Sequence, residues 1–285
     1  MVKKVKKKTL SEKIAIVTGA GRGIGREISL GFAKAGAKLV IISRTKNELD
    51  RTAQEIKKIG QEVLAISADI TKPAEVKKVI EKALNRFKKI DILVNNAGIL
   101  GPIGPIEKNE EKKWEQTIQT NLLGTYYFLK AIIPIMKKQK SGKIINLSGG
   151  GSTSPRPFFS AYAASKAAIV RLTETVAEEV KKYNIQVNAI APGPINTKLL
   201  YEVLDAGQEV AGDKEFEKAK LQKKTGGTPI EKAVQLAIFL ASDASNDLTG
   251  RLISAIYDDW QNFTQKKISQ IEKSDLYTLR RITKK

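Results

Sequence analysis

Seven short apolar runs punctuate the chain, at 13–18, 38–43, 62–67, 91–95, 143–148, 186–191 and 252–256. They are rich in Ile, Val and Leu and do not alternate strictly with polar residues, the pattern of strands covered on both faces. Between them, apolar residues recur at three- and four-residue spacing over about 23–35, 46–59, 73–88, 110–138, 160–183 and 229–241, which predicts amphipathic helices. Strand and helix in turn predict consecutive βαβ units, so the class is α/β: one doubly wound parallel sheet with helices on both faces. No linker or repeat divides it. We expect one domain over 11–258, flanked by a basic tail (1–10) and a basic extension (259–285).

The stretch 194–228 breaks the rhythm, being long and polar and holding Gly207, Gly212, Gly226 and Gly227, with helical patches near 198–206 and 214–224. A long connection after the C-terminal end of a strand is where a substrate lid sits; a plain surface excursion is the alternative. In the extension, Ile268, Ile271, Leu276, Leu279 and Ile282 fall near helical spacing among Lys and Arg. A helix packed on a neighbouring subunit, an arm for an acidic partner and a disordered tail all fit that pattern.

Composition narrows the chemistry. Hydrophobic residues make up 41% and charged residues 28% of the 285, ordinary for a soluble protein with a real core. No apolar run approaches the roughly 18 residues of a membrane helix, and the N-terminus lacks the apolar segment of a secretory signal. There is no cysteine and no histidine. Disulfides and the commonest metal ligands are therefore absent, a cytoplasmic location is the default, and proton transfer falls to Tyr, Lys, carboxylates or water. The formal charge of +20 invites a nucleic-acid reading. However, the first ten residues carry five Lys and no acid, and 261–285 carry seven Lys or Arg against Glu272 and Asp275. Half the excess sits in the two ends, and the remainder mixes Lys with Glu as on solvated helix faces. Neither nucleic acid nor membrane is expected as a partner.

Three motifs carry chemistry. TGAGRGIG, Thr18 to Gly25, follows the first apolar run and opens the first helix. Gly19, Gly21, Gly23 and Gly25 permit a tight turn and let backbone N–H groups approach a phosphate. The second strand ends at Ser43–Arg44, where a free ribose 2′-hydroxyl would ask for a carboxylate and a 2′-phosphate for a cation. Arg44, with Arg22 in the glycine loop, suits a phosphate, so NADP is expected over NAD. Tyr162 and Lys166 stand at i and i+4, neighbours on one helix face. An ammonium about 6 Å from a phenol at an effective dielectric of about 20 is worth about 3 kcal/mol, roughly two pKa units toward neutrality. Tyr126–Lys130 repeats the spacing, but in the apolar helix LLGTYYFLKAIIPIM, where Tyr126 is expected to pack.

With ADIT around Asp69, NNAG (Asn95 to Gly98), Asn121, YAASK and PGPINT (Pro192 to Thr197) in this order, the chain resembles the short-chain dehydrogenase/reductase family over about 10–256, which implies a Rossmann-like fold. The resemblance implies Tyr162 as proton donor to a carbonyl or acceptor from an alcohol. Lys166 would lower its pKa and hold the nicotinamide ribose, and Asn121 would support a relay water. Asp69 would meet the adenine, NNAG would back the ribose, and Ile195 and Thr197 would fix the nicotinamide amide. The implied cofactor set is Gly19, Gly21, Arg22, Gly23, Ile24, Gly25, Arg44, Asp69, Ile70, Asn95, Ala97, Gly98, Tyr162, Lys166, Pro192, Gly193, Ile195 and Thr197. The family places a catalytic Ser thirteen residues before the Tyr, where this chain has Gly149. Ser148 is the expected substitute, with Ser152 the other candidate. The expected activity is hydride transfer between NADP(H) and a small-molecule carbonyl or secondary alcohol. Alternatives are a 3-oxoacyl-thioester reductase served by an acidic carrier protein, or a catalytically weakened dinucleotide-binding regulator. A homo-oligomer, dimer or tetramer, is expected from the same resemblance.

Overall fold

A computed structural model describes residues 8–282. Among the described residues seven strands, β1 (Ile14–Thr18), β2 (Lys38–Ser43), β3 (Val63–Ser67), β4 (Ile92–Asn95), β5 (Gly142–Leu147), β6 (Ile185–Ala191) and β7 (Leu252–Ser254), form one sheet. Every pairing is parallel, in the order β3-β2-β1-β4-β5-β6-β7. The connections wind outward from β1 in one direction and from β4 in the other, so a crevice opens beyond the C-terminal ends of β1 and β4.

Side chains of successive strand residues point to opposite faces, which splits the core in two. Ala15, Val17, Leu39 and Ile41 share one layer with Ile28 and Phe32 of α1 (Gly23–Lys34) and Leu236 and Leu240 of α9 (Ile230–Ala241). Ile16, Val40 and Ile42 share the other with Val76 and Val79 of α3 (Pro73–Phe87), Ile132 of α5 (Gly124–Gln139) and Val176 of α6 (Ser160–Val180). Phe32, fully buried, is worth about 2–3 kcal/mol by area removed from water. Gly31 lets α1 and α9 touch: a Cβ there would stand 2.3 Å from Val234.

The helix expected over 110–138 is α4 (Glu111–Ile118) and α5 joined through a π-helical turn at Gln119–Leu123. One extra residue in the turn re-aims the side chains it carries, and Asn121 is one of them. The remaining helix of the first half, α2 (Lys46–Lys58), covers β2 and β3. Tyr126 is 41% exposed on α5 instead of packed, because Phe128, Leu129 and Ile132 take the face turned to the sheet.

The 194–228 stretch folds as two helices, α7 (Lys198–Ala211) and α8 (Asp213–Thr225), with a break in α7 at Gly207. An antiparallel bridge, Ile195 to Gly227, ties its ends together. Leu200, Val203, Ala211 and Ala219 form a third apolar cluster with Leu100, Phe159 and Tyr162. The stretch is thus a cover over the sheet's C-terminal edge.

Of the expected basic N-terminal tail, residues 1–7 lie outside the described residues. The first part of the extension packs on the chain's own domain. Helix α10 (Gln265–Glu272), capped by the Thr264 hydroxyl, buries Ile268 and Ile271 in the chain's own core. Arg251 donates to the Ile271 carbonyl (2.9 Å) and Glu174 accepts from the Leu279 amide (2.6 Å). Of the apolar positions seen in the sequence, Ile268 and Ile271 are buried within the chain, whereas Leu276 and Ile282 are exposed. Among the described residues no helix is long and apolar enough to cross a membrane.

Candidate active site

The glycine loop leaves β1 for α1. Gly19 (φ +65°) is required by packing, since a Cβ there would stand 2.9 Å from both Ala97 and the Asn96 amide; at Gly25 it would meet the Gly19 carbonyl at 2.4 Å. Gly23 (φ +55°) differs: only Thr197, at 3.6 Å, approaches its missing side chain. It opens α1, whose first-turn N–H groups have no intrahelical acceptors and whose dipole favours an anion there. This bare, electropositive cradle fits a dinucleotide pyrophosphate. Ile24 packs behind it. Thr197 is the residue before α7, on the loop after β6, and Gly193 (φ +88°) brings that loop against Ile256. Thr197 thereby stands beside Gly23 of the glycine loop, while Ile195 pairs with Gly227.

At the expected adenosine end, Arg22 is paired with Glu48 of α2 at 3.1 Å. A Cβ on Gly21 would stand 3.1 Å from the Ser43 hydroxyl and 3.3 Å from a Glu48 carboxylate oxygen. Sequence reading missed Glu48, whose acid stands beside both residues that flank the expected ribose position. Arg44 lies close enough to Asp69 to act on it electrostatically. Burial alone would raise the Asp69 carboxyl, but hydrogen bonds from the Thr71 amide and hydroxyl, with Arg44 and Lys72 nearby, hold it below its ordinary value. Ile70 packs against Gly124, where a Cβ would be 2.5 Å away.

NNAG turns out to be scaffolding as much as surface. The Asn95 side chain points inward and donates to Asn146 (2.9 Å), which donates to Thr173 (2.9 Å). Asn96 donates to the Thr18 and Gly19 carbonyls, and the Asn96 and Ala97 amides both donate to the Thr18 hydroxyl. Gly98 permits close approach to Asn121, whose Oδ1 would be 3.1 Å from a Cβ there, and to the Lys166 amine at 3.6 Å. Asn121 is fully engaged. It accepts from the Ile99 amide (2.9 Å) and donates to the Ile99 carbonyl (3.0 Å) and Ser165 hydroxyl (2.9 Å).

Tyr162 and Lys166 lie one turn apart on α6, both buried, with the amine 5.6 Å from the phenol ring centroid. Lys166 donates to the Leu147 carbonyl at 2.7 Å. The pair is where the sequence puts it, but its electrostatics differ from simple attraction. Burial pushes the Tyr162 phenol above its ordinary value, opposed by the Arg156 guanidinium, and burial pulls the Lys166 ammonium down to about 8. Desolvation of the charged form is the largest influence on each group. Position 149 faces the phenol directly: a Cβ on Gly149 would stand 2.6 Å from the Tyr162 hydroxyl. Ser148 is turned the other way, its hydroxyl toward the Lys166 carbonyl at 3.4 Å. Ser152 is buried, its amide donating to the Gly149 carbonyl. Arg156, also missed from the sequence, lies over the rings of Phe159 and Tyr162 and pairs with Glu215 of α8.

A pyrophosphate cradle at the sheet's switch point, with a phenol and an amine beside it, defines a dinucleotide-dependent oxidoreductase. The short chain dehydrogenase family model matches residues 13–207, and the chain belongs to the short-chain dehydrogenase/reductase family as an NAD(P)-dependent member. It is 34% identical over 244 residues to the 3-oxoacyl-(acyl-carrier-protein) reductase FabG of Thermotoga maritima, covering 86% of this chain and 96% of the relative. It is 36% identical over 242 residues to the same-named protein of Staphylococcus epidermidis, covering 85% and 96%. Among solved structures it resembles an NAD+-bound xylitol dehydrogenase, with a TM-score of 0.80, 28% identity and coverage of 87% and 98%. A 7α-hydroxysteroid dehydrogenase complexed with NADH and 7-oxo glycochenodeoxycholic acid gives a TM-score of 0.77, 29% identity and coverage of 87% and 94%.

Proposed function

We propose that the chain is an NADP-dependent reductase of carbonyl compounds, with 3-oxoacyl thioesters as the favoured substrate class, acting reversibly on the corresponding secondary alcohol. The observation that carries this reading is the buried Tyr162–Lys166 pair on α6, set beside the glycine cradle at the C-terminal edge of the sheet. The nicotinamide, when bound, supplies or accepts the hydride. Tyr162 gives its phenolic proton to the substrate oxygen as a carbonyl is reduced and takes it back as an alcohol is oxidised. Lys166 supplies a donor for the ribose and positive charge near the phenol. Asn121 holds the 98–99 backbone and Ser165 in place. The oxyanion contact falls to Ser148 or Ser152; the Ser148 hydroxyl is held by a bond long enough to be exchanged at small cost. Gly19, Gly21, Gly23, Gly25, Asp69, Ile70, Asn95, Ala97, Gly98, Pro192, Gly193, Ile195 and Thr197 surround the dinucleotide, with Arg44 the cation for a 2′-phosphate.

The thioester assignment draws on the names of the two relatives and on the +20 formal charge, which would steer an acidic carrier protein. We further propose a cytoplasmic homo-oligomer. A second reading, a dinucleotide-binding regulator, is favoured only by Gly149. An assay following NADPH absorbance with acetoacetyl-CoA as probe separates them. Turnover that prefers NADPH to NADH supports the reductase; tight NADPH binding without turnover of this probe or a panel of ketones supports the regulator.

A further inference from the structure

The charged groups around the Tyr162 phenol, among the described residues, come from three elements. Lys166 is on its own helix, Arg156 on the loop before it, and Glu215 on α8 of the cover. The neighbouring end of β5 presents Ser148 and Gly149, the π turn presents Asn121, and α7 presents Leu200 and Val203, all uncharged. Arg156 contacts two rings and one carboxylate. Its guanidinium carbon is 4.1 Å from the Phe159 ring centroid and 5.6 Å from that of Tyr162. Its Nε donates to Glu215 at 2.8 Å, with only 21% and 16% of the two side chains exposed. Gly151 (φ +90°) leaves room for the loop against α6, since a Cβ there would stand 2.7 Å from the Ala163 Cβ and 3.3 Å from the Arg156 Cβ. The same loop meets the cover a second time, where the Phe158 ring (φ +68°) lies against Gly212 at the α7–α8 junction.

We propose that Arg156 is a positioning residue for the proton-transfer step, a cation held over the face of Tyr162 by Glu215 so that the charged form of the phenol is stabilised only while the α7–α8 cover is down. This rests on the reading of Tyr162 as the proton donor and acceptor. A guanidinium on a ring face is attracted by the ring itself and more strongly once the ring carries phenolate charge. Gly149 gives the phenol no side-chain hydroxyl from that position, so Arg156 joins Lys166 as a second cation facing the ring, the guanidinium carbon and the amine each 5.6 Å from its centroid. Because Glu215 belongs to the cover, raising α8 removes the partner that orients the guanidinium. Proton transfer is thereby coupled to closure over the substrate.

The test is a tyrosinate titration by ultraviolet difference absorbance on the free full-length protein, with Tyr162→Phe subtracted to isolate one phenol. It is paired with the pH dependence of 3-hydroxybutyryl-CoA oxidation by NADP+, in which the phenolate form works and the rate rises with pH. Arg156→Gln and Arg156→Met, the latter preserving apolar cover on Phe159, are expected to move both the titration and the rising limb upward by about one pH unit, while Arg156→Lys leaves them within about 0.3. Glu215→Ala is expected to move them upward as well, by less. A titration and limb unchanged in both uncharged Arg156 variants would overturn the proposal. A downward or absent shift in Glu215→Ala would overturn the part given to the cover, since Arg156 would then stay in place unaided. If Tyr162→Phe retains full turnover, the reading beneath the proposal fails; if it is inactive while the Arg156 variants keep the native limb, only this proposal fails.

Discussion

The hydroxyl of Tyr162 lies 2.6 Å from the point where a side chain on residue 149 would begin. Gly149 and Tyr162 are thus a fitted pair, and the site is built around the absence of a side chain on the strand-end loop. Restoring the family's serine should harm this chain. Gly149→Ser is expected to lower stability by about 1–3 kcal/mol through overpacking and to reduce turnover by displacing the phenol. Thermal melts and NADPH-oxidation rates check it; a stable, faster Gly149→Ser variant would mean that the phenol stands elsewhere in solution.

Arg22 and Glu48 meet at 3.1 Å beside Ser43, so one of the two expected phosphate-binding cations is already paired with an acid. Glu48→Gln should free it and remove a carboxylate that repels a 2′-phosphate, raising the NADPH-to-NADH ratio of kcat/KM several-fold. Arg44→Asp should invert that ratio. Steady-state kinetics with both cofactors decides, and a ratio unmoved by either change removes the case for NADP.

The extent to which the site was legible in the sequence follows separation along the chain. Tyr162 and Lys166 were visible because four residues on a helix are always neighbours, and the glycine cradle because its constraints are local. The seven strands were visible because each is a short apolar run needing cover on both faces. The Arg156–Glu215 pair joins residues 59 apart on a loop and a cover helix, and no periodicity announces it. Nor does spacing reveal that Asn95 turns inward while Asn96 braces the glycine loop. The one-residue surplus that makes the π turn at Asn121 is hidden in an otherwise uniform helical pattern. In the extension, the apolar spacing of Ile268 and Ile271 was legible, but whether they would meet this core or another surface depends on tertiary packing alone.

Asn121 uses its whole amide to join the Ile99 backbone to Ser165. Asn121→Ala leaves a buried N–H and C=O unpaired, so a loss of about 2–4 kcal/mol is expected, together with weaker cofactor binding as the 98–99 backbone loosens. Urea unfolding and NADPH fluorescence titration measure the two. A variant as stable as the parent would show that water replaces the amide.

Lys143, buried at the opposite edge of the sheet, donates to Ser245 and Asn246. Burial pulls its ammonium down to about 8 from 10.5, against the pull of Asp243. The unfolded chain therefore binds the extra proton between these values. The penalty is full below about pH 8 and is relieved as pH rises toward 10.5. Relative to Lys143→Met, the native protein should gain about 2 kcal/mol between pH 7.5 and pH 10. Paired denaturation curves across that range test the sign, and a constant difference would contradict it.

The most direct test of the account is the kcat of Tyr162→Phe at saturating NADPH, measured beside its Kd for NADPH. Loss of a positioned general acid should lower kcat by about a thousandfold, with Kd changed less than about twofold because the phenol's hydroxyl is one contact among many in the cradle. Turnover within tenfold of the native protein, with cofactor binding intact, would contradict the assignment of proton transfer to this residue.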